Sequence, residues 1–164
     1  MNLVNPYRFS PPISTSYSNP GGTGDRRSII TITQSSSTLP FISTVNLPLL
    51  LDGAFIQQPG WIQNNCPNGE WFRFDFGSAK IINEFKFYQS SAVAQGTWKI
   101  QGSNDNSTWT DIGSTFTLGG GTDPAVITAI SSNATSYRYY RLIKVSGSTN
   151  AGPYTREFEF KISA

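Results

Sequence analysis

The side chains of this chain that could hold or transform another molecule sit in a few polar stretches, and the chemistry open to them is narrow. Histidine is absent, so Ser–His and Cys–His catalysis lack their base and imidazole metal sites are excluded. Cys66 is the single cysteine, which rules out an internal disulfide. Beside the Pro-Asn-Gly turn of NNCPNGEW it reads as a small, partly buried residue rather than a nucleophile. Paired carboxylates could hydrolyse a glycosidic bond without histidine if they stood roughly 5–10 Å apart across a cleft. The ten acidic residues, however, fall mostly on outward strand positions or in turns. Rings and planar amides are better supplied. FIQQPGWIQNN (55–65) offers Gln57, Gln58, Trp61, Gln63 and Asn64, and NAGPYTR (150–156) offers Tyr154 and Arg156. An aromatic ring stacks on the C–H face of a sugar, while amides and a guanidinium fork its hydroxyls. Tyr154, after Gly-Pro, is the exposed platform; Trp61 can equally pack in the core beneath its loop.

The stretch GSNDNSTWTDI (102–112) gathers side-chain oxygens in a way that first suggests a calcium loop. A helix-flanked calcium loop needs alternate oxygen ligands, a glycine at the sixth position and a glutamate at the twelfth. Counting from Asp105, the fifth residue is Trp109 and the sixth Thr110. A hairpin fits instead: Asn and Asp bond a turn backbone, and Trp109 re-enters a packed face beyond it.

The elements that must position these loops are strands. Aromatic residues reach 13% while charged residues are only 13%, and Ser, Thr, Asn and Gly are plentiful, a mixture that suits pleated surfaces joined by turns. SIITITQS sets Ile30 and Ile32 against Thr31 and Thr33. EWFRFDFG sets Phe72, Phe74 and Phe76 against Trp71, Arg73 and Asp75. IINEFKFY, TWKIQG, AVITAIS and TREFEFKI alternate likewise, the last with Phe158, Phe160 and Ile162 inward and Glu157, Glu159 and Lys161 outward. In YRYYRLIKV (137–145) Arg141 shares parity with Ile143, and Lys144 with Leu142, so its faces stay open. The expected fold is an all-β antiparallel sandwich of 27–164. An extended Pro/Ser/Gly-rich N-terminal arm, 1–26, precedes it and either wraps its own domain or docks on a neighbour. Arg138 and Arg141 are expected in structural pairs with Asp75 or Asp105.

Several of these segments together resemble a known family. GSNDNSTWTDI resembles the S-N-D-G-x-x-W-x-x-L hairpin of discoidin-like domains, which include the coagulation-factor C-type domains and family-32 carbohydrate-binding modules. LLLDGAFIQQPGW (49–61), EWFRFDFGSAKIINEFKFY (70–88), YRYYRL (137–142) and EFEF (157–160) resemble further family segments in the same order, covering about 28–163. The resemblance implies a jelly-roll β-sandwich of roughly eight strands that binds rather than catalyses through loops at one end. It also implies a structural calcium held by Asp52 and Glu157 with turn carbonyls. The alternative is that Asp52 caps its own turn and Glu157 is solvated. In sugar-binding relatives the loop matching QSSAVAQG (89–96) carries an Arg and an Asn. Here it lacks both, which leaves Gln89, Ser90, Ser91 and Gln95 to bond hydroxyls.

The expected function is a non-catalytic carbohydrate-binding, adhesive module for a glycan or cell-surface polysaccharide, attached to a larger particle through residues 1–26. The alternative is a virion decoration or tail assembly protein without a glycan ligand, and a glycoside hydrolase is the third reading. The net charge of +2 is scattered, so nucleic acid is not an expected partner. No apolar run approaches the ~20 residues of a membrane span, and the start, MNLVNPYRFSPP, lacks the pattern of a secretory signal. The chain is therefore expected to be made in a cytoplasm and to act on a virion surface or outside the cell. A homo-oligomer or larger assembly is expected, because a weak sugar site gains from multivalency.

Overall fold

The computed structural model describes residues 21–22, 24–35, 44–54, 60–120, 125–127, 130 and 132–163. Among them lie eight strands: β1 (Thr31–Gln34), β2 (Gly60–Trp61), β3 (Trp71–Gln89), β4 (Ala94–Ser103), β5 (Thr110–Gly119), β6 (Ala125–Ile127), β7 (Tyr137–Ser146) and β8 (Tyr154–Ser163). A single 3-10 segment, Thr44–Leu51, follows β1. No helix among the described residues is long and apolar enough to cross a membrane.

β3 organises the sheet. Its first half pairs antiparallel with β1 and β7, and its second half with β8 and β6. Between them the register shifts from Asp75 to Lys80, and Gly77 takes φ 70°, a backbone conformation that a side chain would strain. The bend carries the chain from one layer to the other. One layer is β1-β3-β7-β4-β5, the other β2-β8-β3-β6. This is the antiparallel sandwich that the alternation predicts.

The core lies where the two inner faces meet. Phe72, Phe74 and Phe76 from the first layer are buried against Phe158 and Phe160 of the second. Phe74 stands edge-on to Phe160 at 4.7 Å and to Phe158 at 5.2 Å, the tilted geometry that ring quadrupoles favour. Trp98, Ile100 and Leu142 fill the rest of the first layer's inner face.

Three features go beyond simple alternation. β7 turns Tyr140, Leu142 and Lys144 inward and Arg141 and Ile143 outward. Buried Lys144 is tolerated because its Nζ donates to Asn68 Oδ1 at 2.7 Å. Glu157 and Glu159 lie on the face away from the phenylalanines, as alternation requires, yet both are fully buried rather than solvated. The described end of the arm lies on its own domain: Phe160 N donates to Gly21 O at 2.7 Å and Arg26 is fully buried. Residues 1–20 lie outside the described chain.

Candidate functional site

Three connecting stretches meet at one end of the sandwich: 62–70 between β2 and β3, 90–93 between β3 and β4, and 147–153 between β7 and β8. Thr149 joins the first to the last. Its Oγ1 accepts the Cys66 N–H at 2.7 Å and donates to Gln63 O at 2.6 Å, and its carbonyl accepts Asn65 N–H at 3.2 Å. Asn64 Oδ1 accepts Ala151 N–H at 2.8 Å. Gln95 closes a double bond with Asn150: Nε2 donates to Asn150 O at 3.0 Å and Oε1 accepts Asn150 N–H at 2.9 Å. Ser90 and Tyr154 likewise exchange two bonds, Ser90 N–H to Tyr154 O at 2.9 Å and Tyr154 N–H to Ser90 Oγ at 2.8 Å. Gly96, at φ 76°, lets this loop approach Ser146, whose carbonyl oxygen would stand 2.7 Å from an added Cβ.

Amides prominent in the sequence therefore divide into two groups. Gln89 is buried, and its Nε2 donates to Ser91 O and Val93 O at 2.7 and 2.6 Å. These bonds hold its own loop in shape. Arg156 is also buried, 5% exposed on β8, which removes it from the surface. Tyr154 is half-buried, Gln63 half-buried and Asn64 exposed at the rim. Trp61 lies opposite Tyr154 in the register of the β2–β8 pair, so the two positions singled out above fall at the same end of the sheet. Gln57 and Gln58 lie outside the described residues. Thr149 and Asn150 escaped sequence reasoning, since nothing local marks a Thr or Asn as a loop tie.

At the opposite end GSNDNSTWTDI is the β4–β5 corner. Asp105 Oδ1 accepts the N–H groups of Ser107 and Thr108 at 2.9 and 2.7 Å and the Ser103 hydroxyl at 2.9 Å. These bonds hold its carboxyl well below the usual carboxylate range. Arg138 forks Asp75 through Nε and Nη2, both at 2.9 Å, as expected. Arg141 has no pair with Asp105; its Nε donates to Gln101 Oε1 at 2.7 Å.

Residues 31–160 match the F5/8 type C domain family. The chain belongs to that family. The F5/8 type C fold places it beside solved carbohydrate-binding modules. One is the CBM32 of AlyQ in complex with 4,5-unsaturated mannuronic acid: 21% identity over 81% of this chain and 95% of that one, TM-score 0.58. Another is the family 32 module of NanJ from C. perfringens in complex with galactose: 12% identity over 84% and 97%, TM-score 0.58. A third is chitosan-binding module 1 of a chitosanase/glucanase from Paenibacillus sp. IK-5: 24% identity over 81% and 95%, TM-score 0.52. At these identities the likeness is one of fold. No curated protein matches the chain.

The calcium that the resemblance implied was assigned to Asp52 and Glu157. In this F5/8 type C domain a guanidinium already stands on the second of these. Arg26 donates through Nη2 to Glu157 Oε1 and to Phe158 O at 2.9 Å, and through Nη1 to Gly22 O and to Gly24 O at 2.8 Å. Burial pushes the Glu157 carboxyl up to about 8; Arg26 pulls it down and the Asp52 charge pushes it further up. Asp52 Oδ1 accepts Ala54 N–H at 2.9 Å, capping its own turn. One carboxylate and three carbonyls thus already surround a cation that the chain supplies, so these residues do not fit a calcium ion beside Arg26. No group of three or more acidic or thiol side chains that could hold a metal ion gathers among the described residues. Arg26 went unnoticed in the sequence because it reads as the end of a Gly-rich arm.

Proposed function

We propose that this F5/8 type C domain is a non-catalytic carbohydrate-binding module that holds glycan at the end formed by 61–65, 89–96 and 147–154. The observation that carries this reading is the register of the β2–β8 pair, which sets position 61 opposite half-buried Tyr154, with exposed Asn64 bonded to the neighbouring loop. A ring beside an amide supplies the stacking and hydroxyl-bonding groups that a sugar needs. Cross-loop bonds from Thr149, Gln95 and Ser90 pre-form the surface, which lowers the ordering cost of binding. Two solved modules of this fold are complexes with galactose and with 4,5-unsaturated mannuronic acid, which adds support for a sugar ligand.

The carboxylates speak for binding without turnover. Asp75 is held by Arg138, Asp111 by Lys99, Glu157 by Arg26 and Asp105 by its own loop. The test is a glycan array followed by calorimetry on the best ligand. Tyr154→Ala is expected to weaken binding at least ~10-fold and Asn64→Ala several-fold, with unchanged melting temperatures. A sugar-binding chain indifferent to both changes, or one releasing reducing ends from that ligand, would overturn the reading.

A further inference from the structure

The outer face of the five-stranded layer, away from the end loops, carries one row of residues in register across all its strands: Thr33, Arg73, Arg141, Gln101 and Asp111. Arg73 and Arg141 are direct partners across β3 and β7. Like charges placed directly opposite each other destabilise a sheet, so this pair calls for a physical reason. Each is laid on an indole. The Arg73 guanidinium carbon lies 5.3 Å from the centre of the Trp71 ring, and that of Arg141 lies 4.2 Å from the Trp109 ring. Each has a neutral hydrogen-bond partner as well: Arg73 Nη1 donates to Asn106 Oδ1 at 2.9 Å, and Arg141 Nε to Gln101 Oε1 at 2.7 Å.

Neither guanidinium forms an ion pair among the described residues. The carboxylates on this face belong to other cations, Asp111 to Lys99 and Asp75 to Arg138. Arg73, Lys99, Arg138 and Arg141 therefore face two carboxylates, and the surplus charge is the Arg73–Arg141 pair. A guanidinium has five N–H donors, and amide oxygens account for one on each of these two. Burial lowers the Arg141 pKa below its ordinary value, with Asp111 pulling the other way, as befits a cation drawn partly from water without a bonded anion.

We propose that Arg73 and Arg141 form a second binding site, for the carboxylates of a uronate-rich polysaccharide lying across the strands of this face. A carboxylate is a planar two-oxygen acceptor that matches the guanidinium fork. Contact with Trp71 and Trp109 restrains the two guanidinium groups, so less side-chain freedom is lost on binding. Two adjacent cations bond the repeated carboxylates of a uronate chain more strongly than the hydroxyls of a neutral one. The site stands whether or not the end loops bind sugar.

The test titrates the full chain with polygalacturonate at low ionic strength and again above ~0.3 M salt, where surface charge is screened, with heparin as the sulfate comparison. The wild type is expected to bind polygalacturonate in low salt and to lose most of that affinity in high salt. Arg73→Gln with Arg141→Gln is expected to weaken binding at least ~10-fold, and Arg73→Lys with Arg141→Lys, which keeps charge but loses the fork, by an intermediate factor. Tyr154→Ala is expected to leave it unchanged. Melting temperatures control for folding, and the single Arg73→Gln variant serves if the double variant does not fold. No polygalacturonate binding in low salt, binding of heparin alone, or loss through Tyr154→Ala but not through the arginine changes would each overturn the site.

Discussion

The guanidinium of Arg26 meets the carboxylate of Glu157 with both side chains withdrawn from water, 1% and 0% exposed. Removing one member leaves the other charged and buried, which typically costs 3–5 kcal/mol, while replacing both by apolar groups costs far less. Arg26→Ala and Glu157→Leu should each lower unfolding free energy by about 3–5 kcal/mol. Arg26→Met with Glu157→Leu should cost less than either. Urea unfolding of the three variants checks the order. A chelator should leave the wild-type melting temperature unchanged, because the cation on these oxygens is part of the chain. In Arg26→Ala the oxygens of Gly22, Gly24, Phe158 and Glu157 lose that cation, and calcium is expected to raise the melting temperature of this variant alone.

Acid should destabilise the fold through Asp75, Asp105 and Asp111, all held below their ordinary pKa: Asp75 mainly by Arg138, Asp105 by the backbone N–H of Thr108 and Ser107, and Asp111 by Lys99. A carboxyl depressed in the folded state contributes stability above its unfolded pKa of ~3.9, and that contribution is lost as pH falls through the folded value. The contribution of these three carboxyls to the melting temperature should therefore hold above pH ~4 and decline below it, while Glu157, pushed up to about 8, adds a gradual loss as pH rises towards that value. Asp105→Asn should melt lower at neutral pH and show a shallower acid decline. An equal slope in that variant would remove Asp105 from the account.

Cys66 is 2% exposed, and burial pushes its thiol up to about 12. Thiolate is the reactive form, so native protein at pH 8 should not react with a thiol-specific disulfide reagent, and one equivalent should react after urea is added. Rapid modification without denaturant would contradict the packing around Thr149.

Truncating Phe74, which touches both Phe158 and Phe160, should cost about 3–5 kcal/mol through lost burial and the cavity left behind. Gly96→Ala should also destabilise, by roughly 1–3 kcal/mol, because the residue has positive φ and its new methyl would press on Ser146 O. Chemical unfolding measures both. An unaffected Gly96→Ala would mean that the 90–96 loop can shift away from 146–148.

Much of the fold was legible because its signal is local. Phe72, Phe74 and Phe76 recur every second residue, and a pleat sends such a set to one face whatever its partners. The inward face of β7 was not legible, since it depends on Asn68 accepting from Lys144, 76 residues away in the chain. Glu157 followed the same logic: its burial rests on Arg26, 131 residues earlier. At the candidate site the sequence drew attention to Trp61, Asn64 and Tyr154, and the structure brings the three to one end, Trp61 closing β2, Asn64 in the stretch after it and Tyr154 opening β8. The sequence did not separate the amides that tie loops together from those left at the rim. Gln89 and Asn64 look alike in sequence, and only the nearby carbonyls of Ser91 and Val93 distinguish them.

β3 supplies hydrogen bonds to β1, β6, β7 and β8, and that arrangement bears on how fast the chain folds. Most of those partners are distant along the polypeptide, so the entropic penalty of loop closure must be met before the pairings reward it, and topologies of this kind fold in roughly milliseconds to seconds. On the ribosome, Phe85 and Phe87 emerge long before Phe158, so the central strand waits with its apolar side open until β8 has been made. Surveillance by chaperones during synthesis would act on that interval, and substitutions in β3 would show themselves first as slower refolding.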